Sequence, residues 1–206
     1  MRRGRRFGLL VGFLLLVLGG WSLWAEVDDC GGLCIYPSQG AVHVGDIHPI
    51  GGIVYVGATA WFAIRYVEPI RLRFNSGGGD FATARLMAAW TRFLTSYHPI
   101  RAELSADARC GSSCTIIWAA APTRIADRNG VFFFHAVRWA LISDPAWRFV
   151  GLGGQTRLMS AAVAAVDPRL AAYLESRGAY DGQGRDVTLL ASDIAALGGP
   201  YVTVRR

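Results

Sequence analysis

The apolar positions along the chain change period several times, and each change predicts an element. Residues 7–25 (FGLLVGFLLLVLGGWSLWA) run without a charge directly after Arg2, Arg3, Arg5 and Arg6. That is the form of a secretory leader or of a retained N-terminal membrane helix. Residues 26–40, rich in Gly, Asp and Cys, read as an irregular lead-in segment. Short apolar stretches fill 41–56, with 53–56 (IVYV) predicted as a buried strand and 58–66 as a helix. Residues 69–75 (PIRLRFN) alternate apolar and polar, which predicts a strand with one face on a core, and Ser76-Gly77-Gly78-Gly79 breaks it. An apolar stripe through Phe81, Ala84, Met87, Ala88 and residues 90–94 then predicts a helix, capped by Asp80 and ended by Pro99.

The second half repeats the scheme. Residues 100–104 read as a strand, and Cys110-Gly111-Ser112-Ser113-Cys114 runs straight into TIIWAAA, a buried helix. Residues 124–127 and 131–135 read as two strands around the turn Arg128-Asn129-Gly130. Residues 136–154, with Pro, Gly, Trp139 and Trp147, read as a loop that covers a site or makes an oligomer contact. Helices are predicted at 155–165, 168–177 and 192–197. Strand, glycine turn, helix, strand, serine turn, helix, strand is the order of an α/β domain. The expected organisation is a leader or anchor at 1–25, the Cys-containing lead-in at 26–40, and one domain over 41–206.

Composition narrows the picture. With 52% hydrophobic and 17% charged residues, the chain is not of the disordered class. The formal charge of +6 falls to +2 once the four leader arginines are set aside, and no basic block of nucleic-acid type remains. Arginines ahead of the apolar run place the N-terminus in the cytoplasm and the domain beyond the membrane, in a periplasmic or other extracytoplasmic compartment. Cys30, Cys34, Cys110 and Cys114 follow the leader, an even number that suggests disulfides in an oxidising compartment. Three pairings are open, and a four-cysteine zinc site is the rival, with spacing wider than the common knuckle.

The candidate chemistry lies at the strand-to-helix turns. Helix N-termini expose unpaired N–H groups, and glycine lets a backbone come close to a ligand. Two such turns side by side would give one oxyanion two donors, as acyl transfer requires, and a serine at the tip of one would be the nucleophile. His135, at the end of VFFFH, is the candidate base.

The segments RLRFNSGGGDFATARLMAAWTRFL and DARCGSSCTIIWAAAPTRIADRNGVFFFHA resemble the corresponding segments of Clp proteases and signal-peptide peptidase A relatives. The resemblance covers about residues 50–200. It implies a ClpP/crotonase-like α/β spiral of repeated strand-strand-helix units, preceded here by a hydrophobic helix. It puts the serine at Ser112 and the histidine at His135. It puts the oxyanion donors at the Gly78–Gly79 turn and the Ser113 N–H, and the acid at Asp186, with Asp167 the rival. Cys110 and Cys114 then staple the serine turn, to each other or to Cys30 and Cys34. A catalytic thiol at Cys114 is the less favoured alternative. Gly77 stands where the family has proline, and Ser113 where a methionine often follows the serine.

The expected function is an exported or membrane-anchored serine endopeptidase acting on a peptide or protein, without cofactor or metal. The alternative is an inactive ClpP-like binding or scaffold protein of the cell envelope, and a thioester-acting crotonase-like enzyme is a third reading. The resemblance implies a homo-oligomer. Neither a nucleic acid nor an ATPase partner is expected.

Overall fold

The computed structural model describes residues 35–38, 40–66, 68–138 and 150–205. The apolar run at 7–25, Cys30, Cys34, Trp139 and Trp147 lie outside the described residues. Two sheets organise the chain. The larger has six strands: β1 (Ile35–Ser38), β2 (Ala41–Val44), β3 (Ile70–Phe74), β4 (Ile100–Leu104), β6 (Thr123–Ala126) and β9 (Thr203–Val204), in that spatial order. Only the β1–β2 pair is antiparallel; the rest are parallel. The smaller sheet has three strands: β5 (Arg109–Gly111), β7 (Val131–Phe134) and β8 (Val187–Leu190), with β7 central. Six helices lie among the described residues: α1 (Pro49–Arg65), α2 (Phe81–Thr95), α3 (Cys114–Ala120), α4 (Gly153–Ala164), α5 (Pro168–Ser176) and α6 (Ala191–Ala196). The first five pack against one another in chain order, α1 at one end of the row and α5 at the other.

Strand alternation sets the core. Ile70, Leu72 and Phe74 of β3 and Ile100, Ala102 and Leu104 of β4 are buried, register partners on one face. Met87 and Ala84 of α2 and Ile117 and Trp118 of α3 pack onto them. Trp118 joins the two sheets, meeting Phe74 of the large one at 5.7 Å and Phe132 of the small one at 5.1 Å, both edge-on. On the opposite face, Glu103 takes two hydrogen bonds from Arg71, at 2.8 and 3.0 Å, with Arg73 nearby. Burial acts to raise the Glu103 carboxyl, but the hydrogen bond and the surrounding guanidinium charges win and hold it below the usual range.

The chain beyond α5 returns to lock α3. The indole N–H of Trp118 donates to the Tyr201 carbonyl at 3.1 Å, and the Tyr201 hydroxyl donates to the Thr115 carbonyl at 3.2 Å. The side chain of Arg124 donates to the carbonyls of Ala121, Pro200 and Tyr201. Asp167, fully buried, accepts from the N–H groups of Arg169, Leu170 and Tyr201, so it caps α5 and pins the same segment.

Several expectations change. Residues 53–56 are not a buried strand: they lie inside α1, with Pro49 at its start and Ile53 58% exposed. The lead-in is not irregular throughout, since β1 occupies Ile35–Ser38 and pairs with β2. β6 and β7 flank the 128–130 turn as expected but do not pair with each other; they belong to different sheets. β8 and β9 were not anticipated. The helix expected at 192–197 is α6. No helix among the described residues is long and apolar enough to cross a membrane.

Candidate active site

The serine turn begins as a strand. Parallel pairing of β5 with β7 matches Cys110 to Phe132 and Gly111 to Phe133, and the Ser112 N–H donates to the Phe133 carbonyl at 2.9 Å. At Ser112 the backbone turns left-handed, with φ +51, the one non-glycine residue with positive φ among those described. That conformation costs a non-glycine residue about 1–2 kcal/mol, so its surroundings must impose it. The Ser112 carbonyl accepts from both the N–H (3.0 Å) and the hydroxyl (2.6 Å) of Thr115. Cys110 and Cys114, one on each side of the serine, are joined in a disulfide. The local pairing is thus realised. It takes two thiolates from the four-cysteine zinc alternative and the thiol from the Cys114 alternative.

The glycine turn is held against it from two sides. Ser76 exchanges backbone bonds with β5: its N–H donates to the Arg109 carbonyl (2.8 Å) and its carbonyl accepts from Gly111 (3.0 Å). Ile47 pairs on the other side, donating to the Gly78 carbonyl (2.7 Å) and accepting from Asp80 (2.8 Å). The Ser76 hydroxyl accepts from the Gly78 N–H at 3.0 Å, and Asp46 accepts from the Gly77 N–H at 2.6 Å. Gly78 and Gly79 take φ +111 and +132, which only glycine adopts readily. There is also no room for a side chain. A β-carbon on Gly79 would lie 2.2 Å from the Ile47 carbonyl oxygen.

The two turns are latched by Ser113, whose buried hydroxyl donates to the Gly79 carbonyl at 3.0 Å. Ser112 is half-buried, and its hydroxyl has no hydrogen-bond partner among the described residues. The neighbouring serines are thus separated by position, one holding the turn and one free. The N–H groups of Gly79 and Ser113 also find no acceptor among the described residues. Two unpaired donors beside an unengaged hydroxyl can receive a developing oxyanion.

His135 follows β7, 6% exposed, with its ring stacked on that of Phe133 at 5.9 Å. Its Nδ1 lies 2.6 Å from the carbonyl oxygen of Ala136. A carbonyl only accepts, so Nδ1 carries the proton and Nε2 keeps a lone pair. Burial pushes the imidazole below its ordinary range; Arg138 adds to this, while the Ala136 bond and Asp186 oppose it. No hydrogen bond joins His135 to Ser112 among the described residues.

Asp186 stands just beyond the last β7–β8 register pair, Phe134 with Val187, and so next to His135. Its carboxylate, however, pairs with Arg138 at 3.6 Å and not with the imidazole. Asp167, the rival acid, caps α5 beneath Gly199. Sequence reasoning missed Arg138, Phe133, the Ala136 carbonyl and Ser76. Ser76 had a signal, as the serine that opens the glycine turn; Arg138 had none, because only pairing of β7 with β8 brings it to Asp186. No metal-ligating cluster occurs among the described residues.

No family model matches the sequence, and neither does any curated protein. Solved structures do. The chain is similar to ClpP1 from Listeria monocytogenes, with a TM-score of 0.60, and to a mutant of that protein, with a TM-score of 0.63. In both cases identity is 13%, and the match covers 81% of this chain and 92% of the other. The chain has a Clp-protease-like fold.

Proposed function

We propose that this chain is a serine peptidase of the ClpP/signal-peptide-peptidase-A type, held at or exported across a membrane by residues 1–25, with Ser112 as nucleophile. The observation that carries the reading is the serine turn. Ser112 is forced to φ +51 with a free hydroxyl, beside the unpaired N–H groups of Gly79 and Ser113. In the reaction, Nε2 of His135 takes the proton as Ser112 Oγ attacks a peptide carbonyl. The Gly79 and Ser113 amides hold the oxyanion. The leaving amine takes the proton back from His135, and water attacks the acyl-enzyme by the same route. The Ala136 carbonyl supports the imidazole tautomer, and Asp186 assists electrostatically. A homo-oligomer on the outer side of the membrane belongs to the same reading.

A second reading, an inactive scaffold of the same fold, draws on the missing Ser112–His135 hydrogen bond and on the pairing of Asp186 with Arg138. Fluorophosphonate labelling of the full chain in vesicles separates the two. Labelling that disappears in Ser112→Ala and falls in His135→Ala supports the peptidase. A folded chain with no labelling supports the scaffold.

A further inference from the structure

The outer side of α1 takes no part in the peptidase site. Residues 49–64 contain no charged side chain. The inner face of the helix buries Tyr55, Ala58, Thr59 and Phe62. The outer face presents Ile50, Ile53, Trp61 and Ile64, 50%, 58%, 43% and 72% exposed. With Gly57 between them, these positions fall on one stripe of a 3.6-residue helix. A helix at a protein surface ordinarily turns charge outward; one that is apolar all round needs a second apolar medium.

Where the chain joins the fold says which medium. Ile35 opens β1, and a β-carbon on Gly51 of α1 would lie 3.2 Å from its Cδ1, so the two touch. Residues 26–34 separate the apolar run at 7–25 from Ile35. Fully extended they reach about 30 Å. A bilayer holding that run therefore tethers the domain by the end of the helix row where α1 lies. The rim of the stripe fits such a surface. Arg65 ends the helix with its guanidinium 5.8 Å from the centre of the Trp61 ring, and Tyr66 follows, 48% exposed. Tryptophan, tyrosine and arginine at the edge of an apolar stripe are the side chains that seat at the headgroup level.

We infer that the outer face of α1 lies on the outer leaflet of the membrane as a second, peripheral contact. Ile53 and Ile64 reach the acyl boundary, and Trp61 and Arg65 sit among the phosphates. The inference rests on the reading of residues 1–25 as a retained anchor and is independent of catalysis.

The test uses the full chain reconstituted in phosphatidylethanolamine–phosphatidylglycerol vesicles. Benzoylphenylalanine replaces Ile53, Ile64 or, as control, Glu175 on α5. Flotation reports the anchor, and mass spectrometry after irradiation reports the adduct. The expected result is a floating chain with lipid adducts about ten-fold more abundant at 53 and 64 than at 175. A floating chain that crosslinks to a second copy, or gives no lipid excess at 53 and 64, overturns the inference and leaves the anchor standing. A chain that does not float overturns both.

Discussion

Gly78 approaches Ser112 so closely that a β-carbon on Gly78 would lie 2.6 Å from the serine's own. The glycine turn is therefore a wall of the Ser112 position. Gly78→Ala is expected to displace Ser112 and lower fluorophosphonate labelling about 100-fold or more, since a misplacement of about 1 Å costs that much. Gly79→Ala meets the backbone of Ile47, which cannot swing aside. It is expected to destabilise the fold by about 3 kcal/mol, read from the urea midpoint.

The two serines should respond in opposite ways. Ser113→Ala removes the hydroxyl that holds the Gly79 carbonyl, at a cost of about 1 kcal/mol, and keeps measurable labelling. Ser112→Ala abolishes labelling and leaves the urea midpoint about unchanged, because the hydroxyl it removes makes no hydrogen bond and the Cβ that makes the left-handed turn costly is kept. Labelling lost only in Ser113→Ala would move the nucleophile by one residue.

The pH profile of labelling should rise along a histidine limb whose midpoint lies on the acid side of the ordinary value of 6.5, because burial disfavours the imidazolium. At pH 7 the base is already deprotonated. Arg138 lowers and Asp186 raises the His135 value. Arg138→Ala therefore moves the limb toward higher pH, and Asp186→Asn moves it lower. With Asp186 paired to Arg138, Asp186→Asn is expected to slow labelling about ten-fold, far short of the ~10⁴-fold loss seen where the acid alone sets the tautomer. A loss of that larger size would mean that Asp186 leaves Arg138 for His135 in the working enzyme.

The same depressed value has a stability consequence. Folded His135 binds a proton less readily than the unfolded residue does. The stability it contributes is present above 6.5 and is lost as the pH falls through the folded value. Urea midpoints followed downward from pH 7 should decline in the wild type and decline less in His135→Gln.

Reduction of the Cys110–Cys114 disulfide opens a short loop, separation four. It should cost about 2 kcal/mol and release the left-handed turn at Ser112. Labelling and the urea midpoint should fall together in Cys110→Ala/Cys114→Ala. Unchanged labelling would show that the Thr115 bonds alone hold the serine.

The sequence showed most clearly those elements that carry their own punctuation. Asp80 accepts from the Thr83 N–H at the start of α2, where the pattern put a cap; Gly78, Gly79 and Ser112 meet because a bridge between Ser76 and Cys110 joins the end of β3 in one sheet to β5 in the other. Residues 53–56 misled because four apolar side chains in a row suit a strand or a helix turn equally, and Pro49 at the first helical position was the stronger signal. β6 and β7 misled through proximity. A three-residue turn suggests a hairpin, whereas the β6 edges are occupied by β4 and β9, strands far away in the chain. Arg138 escaped notice for a related reason: its partner Asp186 is brought to it by β8, a strand the pattern did not show.

The hold of Tyr201 on Trp118 and Thr115 has a consequence for timing. α3 carries the first turn after Ser112, and its Trp118 side chain and Thr115 carbonyl are held by a residue that is made long after it. Everything up to Tyr201 must have left the ribosome before the serine turn is braced. A chain cut short of Tyr201 therefore keeps Ser112 and the helix after it but lacks two of the bonds that hold that helix in place.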